Sequence, residues 1–194
     1  MPEITPGTCY GQLDVDVSSN FAVEAAEVLD WLPPVELIIT SPLLRSLRLA
    51  QYLAQKQKCE LRNDKRLMEM HFGDWEGKKW DDIARHQIDA WGADVLNYVP
   101  PNGESSRQMM QRVEEMLREV TQLPQRHIAL VGHGGSIRGV LALLGEVELG
   151  SPPRGKCHGH VSSSPSAAAA RVFCSAHDCH RGFRFLRKKS QHHS

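Results

Sequence analysis

The chain has 194 residues, 41% of them apolar, with 23 basic and 23 acidic side chains that cancel to zero net charge. That length suits one α/β domain, or a smaller domain plus an appendage, and that apolar content is enough for a real core. The balance hides a split: residues 1–150 hold 15 Lys/Arg against 22 Asp/Glu, net −7, whereas residues 151–194 hold 8 against one (Asp178), net +7.

In chain order, residues 1–19 carry prolines, glycines and hydroxyls without a period and read as a loop. "NFAVEAAEVLDWL" has Phe21, Ala25, Val28, Leu29 and Leu32 at helical spacing, with Asn20 as N-cap and Pro33–Pro34 as the stop. "VELIIT" is a short apolar run bounded by prolines, a buried strand. "SPLLRSLRLAQYLAQ" predicts a helix with Ser41 as N-cap and Pro42 at its first position. "LMEMHFGDWEGKKWDDIARH" mixes a loop with the start of a helix near Asp81. "SRQMMQRVEEMLREV" places Met109, Val113, Met116, Leu117 and Val120 on one stripe, and Pro124 ends it. "HIALV" is a second buried strand, and "GSIRGVLALL" the next helix.

The pattern fails after Gly145. Residues 146–194 hold six of the ten histidines and three of the five cysteines. The predicted organisation is a domain over 1–145 and a basic, Cys/His-rich tail over 146–194 that is poorly ordered or non-native. Cys9 and Cys59, the body's two cysteines, imply no disulfide framework. No apolar run reaches membrane-spanning length, and no basic-then-apolar leader is present. The expectation is a cytoplasmic protein, with no membrane and no nucleic acid among its partners. "CHGH" and "CSAHDCH" offer zinc-type ligands at spacings that fit no standard finger, and "RGFRFLRKK" is a solvated basic tail.

Two units, "VELIITSPLLRS" and "HIALVGHGGSIRG", each read strand, short loop, helix. The predicted class is α/β: a mostly parallel sheet with helices on both faces. In such sheets ligands bind beyond the carboxyl ends of the strands, and each loop opens a helix whose free N–H groups favour an anion. Arg45 falls in the first turn after "SP", suited to fork onto phosphate oxygens. His133 sits after the second strand, before Gly134 and Gly135, which let the backbone approach a ligand. Either residue alone reads as a surface arginine or an internally bonded histidine; their equivalent placement is what points to a site. Glu69 lies near Phe72 and Trp75, where a raised pKa would let it donate a proton to a leaving alcohol. Spacing leaves Asp74 and Glu76 open as alternatives.

"SPLLRS", "LMEMHFGDWEG", "PPNGES" and "VGHGGSIRGVLALL", in this order over roughly residues 3–145, resemble the histidine phosphatase superfamily, which includes phosphoglycerate mutases. "TPGTCYGQLDVDVS" and "HFGDWEGKKWDDI" look most like bacterial alpha-ribazole phosphatases of cobalamin biosynthesis. The resemblance implies a phosphomonoesterase with a small-molecule substrate, a phosphohistidine intermediate and no metal or organic cofactor. It implies that Arg45 clamps phosphate with His133 and Gly134, and that Glu69 is the proton donor and His133 the second histidine. It also implies that Tyr10, Gly11, Gln12, Glu104 and Ser105 border the substrate. A phosphoglycerate mutase-like or general sugar-phosphate phosphatase, and an inactive phosphate-binding pseudoenzyme, are the competing readings.

The family pattern begins with an apolar strand ending in Arg-His, whose histidine is the nucleophile. No Arg-His pair precedes Cys9; Arg85–His86 and Arg126–His127 lack the context. The fold is therefore expected to be incomplete at both ends, with the nucleophile outside this chain and a strand edge left unpaired.

Overall fold

The computed structural model describes residues 3–145, 158–160, 169–174 and 184–185. Helix α1 (Phe21–Trp31) leads to strand β1 (Leu37–Thr40), helix α2 (Leu44–Gln57) and strand β2 (Glu60–Asn63). Short 3-10 turns and α3 (Arg85–Ala93) follow, then α4 (Ser106–Val120), β3 (His127–Gly132) and α5 (Gly134–Leu143). Three further strands, β4 (His158–His160), β5 (Ala169–Cys174) and β6 (Arg184–Phe185), join the same sheet. Strand order is β2-β1-β3-β5-β4-β6. The pairs β1–β2, β1–β3 and β3–β5 are parallel, and β4 runs antiparallel to β5. The α/β class with a mostly parallel sheet is as expected.

The two apolar strand runs are buried on both faces, which is why they show no polar alternation. Leu37 and Ile39 of β1, with Ile128 and Leu130 of β3, pack against Val113, Met116, Leu117 and Val120 of α4 and Ile137, Val140 and Leu141 of α5. The intervening residues Ile38, Ala129 and Val131 face the other way, onto Ala25 of α1 and Leu49, Ala50, Leu53 and Ala54 of α2. This is the period of two that pleating imposes. A third cluster joins Cys9, Trp75 and Ile83 to Phe72, Trp80, Ile88, Trp91 and Tyr98. It fastens the N-terminal loop to the long connection before α4.

Two local expectations are corrected, one is met in position only, and one strand was not foreseen. Helix α2 opens at Leu44, not at Pro42, and Ser41 is not its cap. Its first amide, Leu44 N–H, donates instead to Asp14 Oδ1 at 2.7 Å, thirty positions earlier in the chain. Asn20 sits at the N-cap of α1 but makes no side-chain cap bond. A 3-10 turn spans Trp80–Asp82, and the helix expected near Asp81 starts at Arg85. Strand β2, "ELRN", escaped detection because it is polar and largely exposed.

The strand edge expected to lie bare is paired: β5 runs along all of β3, His127 to Gly132 against Ala169 to Cys174. The rest of the expected tail over 146–194, including Cys157 of "CHGH" and all of "CSAHDCH" after Cys174, lies outside the described residues. No helix among the described residues is long and apolar enough to cross a membrane.

The two-faced core has a measurable consequence. Leu130→Ala removes a side chain with no solvent exposure, and the expected loss is ~2–5 kcal/mol in urea unfolding. Val23→Ala, at a 65% exposed site, should change stability by about 0.5 kcal/mol or less. Equal effects would contradict the assigned core.

Candidate active site

Register decides where the site forms. Thr40 of β1 lies opposite Val131 of β3, and Ser41 N–H donates to Val131 O at 2.9 Å. Both strands therefore leave the sheet side by side, and the first turns of α2 and α5 open at one edge.

His133 is the N-cap residue of α5 and is 1% exposed. Its backbone N–H donates to Ser136 Oγ at 3.0 Å, which fixes the turn. Its Nε2 lies 2.7 Å from Ser41 Oγ and 3.3 Å from Ser46 Oγ. Serine hydroxyls both donate and accept, so they serve a neutral imidazole in either tautomer. Burial, then the charges of Arg45 and Arg112, push the His133 pKa well below its ordinary 6.5. The ring is neutral at pH 7.

Arg45 lies in the first turn of α2 and is 3% exposed. One terminal nitrogen donates to Gly11 O at 2.6 Å and the other to Leu13 O at 2.8 Å. The guanidinium carbon stands 5.0 Å from the Tyr10 ring centroid, a cation–π contact. Burial lowers the Arg45 pKa, opposed by the nearby Glu69 and other anions. Three of its five N–H groups have no hydrogen-bond partner among the described residues.

Glu69 comes to the same edge from the loop before the aromatic cluster. Its Oε2 accepts from Gly135 N–H at 3.0 Å, and its Oε1 from Met70 N–H at 2.8 Å. Burial pushes its pKa up, opposed by those two amides and by Arg45 and Arg112. The residue remains partly exposed, so the group is both tuned and reachable. A Cβ at position 135 would meet the Glu69 carboxylate, so glycine is required there for close approach.

The structure also separates the alternatives to Glu69. Asp74 accepts from Asn102 Nδ2 at 3.0 Å on an exposed turn. Glu76 Oε1 accepts from Gln12 N–H at 3.0 Å and Phe72 N–H at 2.9 Å, binding the N-terminal loop to the loop that follows Glu69. Neither reaches α5. Cys9, next to these carboxylates, has its thiol pushed up to about 12 by burial and then by Glu76 and Glu69. It is no thiolate nucleophile at neutral pH.

Of the remaining expected site residues, Gly134 opens α5 directly after His133. Gly11 holds Arg45 through its carbonyl, Tyr10 lies against the guanidinium, and Gln12 Nε2 donates to Glu69 O at 2.9 Å. Glu104 and Ser105 make internal bonds: Glu104 pairs with Arg112 at 2.6 Å, and Ser105 closes a capping box with Gln108 on α4. His127 is exposed and starts β3, about 20 Å from His133 by strand rise, and His86 is exposed on α3. Sequence reasoning missed Ser41 and Ser46 as partners of His133, although both lie within "SPLLRS". It also missed Arg112, whose role is purely tertiary. Among the described residues no cluster of three or more His, Cys, Asp or Glu could hold a metal ion.

A buried cation, a neutral imidazole, a tuned carboxyl and a helix N-terminus meet at one sheet edge, an arrangement chemically suited to an anion. Residues 5–164 match the family model for the histidine phosphatase superfamily, branch 1, and the chain belongs to that family. It is 34% identical over 154 residues to the glucosyl-3-phosphoglycerate phosphatase of Mycobacterium tuberculosis, covering 69% of this chain and 66% of that one. It is 28% identical over 130 residues to the adenosylcobalamin/alpha-ribazole phosphatase of Escherichia coli, covering 65% and 62%. The chain thus spans slightly less than two thirds of the length of either relative. The solved structure of mycobacterial glucosyl-3-phosphoglycerate phosphatase with inorganic phosphate superposes with a TM-score of 0.62 at 33% identity, over 73% of this chain and 74% of that one. Curated relatives in that family are named as phosphatases.

The depressed His133 pKa sets a pH dependence. Below its unfolded value of 6.5, the unfolded chain binds a proton that the native site refuses, so stability falls as pH drops from about 6.5 toward the folded pKa. Glu69 acts oppositely: the native carboxyl holds its proton above 4.5, so its contribution falls as pH rises from 4.5 to its folded value. Urea midpoints of wild type and His133→Gln between pH 5 and 7.5 should converge toward the acid end. A constant difference would contradict a buried, neutral His133.

Proposed function

We propose that this chain is a phosphomonoester hydrolase for a small phosphorylated metabolite. The observation that carries this reading is the convergence of Arg45, Glu69 and His133 on the N-terminus of α5. The phosphoryl group would sit with its equatorial oxygens against the free N–H groups of Arg45 and the amides at Gly134. A neutral His133 adds a hydrogen bond that strengthens as charge builds up on those oxygens. Glu69, whose pKa burial pushes up, would give its proton to the ester oxygen as the O–P bond breaks, and its carboxylate then takes a proton from the attacking water. The family resemblance assigns the first attack to a histidine of an Arg-His pair, forming a phosphohistidine. That pair has no counterpart before Cys9.

Alpha-ribazole 5′-phosphate is the substrate suggested by the motifs around Tyr10 and Trp75, which would place the chain in cobalamin biosynthesis. Glucosyl-3-phosphoglycerate is the second candidate, supported by the higher identity to its phosphatase. Tyr10, Gly11, Gln12, Glu104 and Ser105 are the proposed substrate border.

The test is hydrolysis of both esters by the purified chain, with inorganic-phosphate binding measured in parallel. Glu69→Gln should lower kcat by ~10²–10⁴-fold and retain phosphate binding. Arg45→Ala should weaken phosphate binding by about 10–100-fold, the loss of one or two charge-assisted bonds. Phosphate binding that depends on Arg45, without turnover of either ester, would overturn the hydrolase reading and leave a non-catalytic phosphate binder.

A further inference from the structure

Arg112, on the middle turn of α4, spends every donor it has. Its Nη1 donates to Arg66 O at 2.7 Å and to Met68 O at 2.8 Å. Its Nη2 donates to Glu69 O at 2.9 Å and to Glu104 Oε1 at 2.6 Å, and Nε to Glu104 Oε2 at 3.2 Å. A guanidinium carries five N–H groups, and all five are used. Glu104 extends the strap: its Oε1 also accepts from His71 N–H at 2.9 Å. The backbone on both sides of Glu69 is therefore tied to α4.

That segment has little else to hold it. Residues 68–72 belong to no helix or strand, and the carbonyls of Arg66, Met68 and Glu69 receive no backbone N–H among the described residues. Gln12 Nε2 is the other side-chain donor recorded on Glu69 O. Meanwhile α4 packs on α5, the helix whose Gly135 amide receives the Glu69 carboxylate. A rigid path thus runs from α5 through α4 and Arg112 to the backbone of Glu69.

We propose that Arg112 is a positioning residue: its five-donor fork fixes the irregular segment 66–71 so that the Glu69 carboxyl stays on the Gly135 amide and faces the phosphate site. The proposal rests on the hydrolase reading for its catalytic meaning but not for its geometry. A displacement of about 1 Å in a proton donor costs rate without costing phosphate affinity. A lysine keeps the charge but has three donors and no planar fork, so it does not substitute. A purely electrostatic role would make the opposite prediction for lysine.

Arg112→Met and Arg112→Lys in the full chain test this, with Glu69→Ala as the reference for a lost Glu69–Gly135 bond. Thermal melts establish that both variants fold. The Gly135 amide proton resonance is expected to move upfield in both, toward its position in Glu69→Ala, and the Glu69 carboxyl resonance to move with it as the bond is lost. In turnover, both variants should lose at least tenfold more kcat on an alkyl phosphate than on 4-nitrophenyl phosphate, whose leaving group needs little protonation. A wild-type Gly135 resonance in Arg112→Lys, or equal losses on the two esters, would overturn the proposal. A wild-type chain with no turnover overturns the hydrolase reading instead, and the Gly135 and Glu69 resonances then decide the positioning role alone.

Discussion

The register of β1 against β3 is the constraint from which the rest follows. With Thr40 opposite Val131, two strand ends, two loops and two helix N-termini arrive at one edge. A slip of one residue would invert one strand relative to the other and turn either Ile38 or Val131 away from α2. The core enforces the register because each face of the pair has its own helix layer. Hydrophobic burial on two sides thus fixes, at a distance, which polar residues meet at the edge.

What meets there is a competition between burial and charge. Arg45 is a cation almost without solvent, steadied by two carbonyls and the Tyr10 ring. Its charge helps keep the nearby imidazole neutral and partly offsets the desolvation that raises the Glu69 pKa. The outcome is one fixed positive charge, one neutral ring and one carboxyl poised toward protonation. A buried cation with no ion pair among the described residues is costly, and an anion bound at this edge would relieve that cost. The same loop interactions that hold Arg45 also reach Glu69 through Gln12, so the cation and the carboxyl share a frame.

Much of this was legible in the sequence, and the rest failed for identifiable reasons. The α4 stripe Met109, Val113, Met116, Leu117 and Val120 is buried throughout, because amphipathic period is a local signal. The apolar strands were legible as short continuous apolar runs, which need no period. The "SP" signal misled: Ser41 has the chemistry of a cap, but its hydroxyl is engaged by His133, and Asp14 bonds the first amide of α2 from a distant loop. Glu69, Asp74 and Glu76 are indistinguishable by spacing, and only the Gly135 contact separates them. Arg112 carries no motif, since its acceptors are backbone carbonyls that any sequence supplies. Strand β2 is polar, and β5 lies in a stretch without clear period, so neither announced itself.

The central claim is that one anion-binding edge joins Arg45, His133 and the start of α5, with Glu69 facing it. A crystal structure of the full chain with orthovanadate tests it most directly. The account predicts vanadate oxygens on Arg45, His133 and the Gly134 amide, with the Glu69 carboxyl within hydrogen-bond reach of an apical oxygen. Vanadate absent from this edge at saturating concentration, or bound with Glu69 turned away, would contradict it.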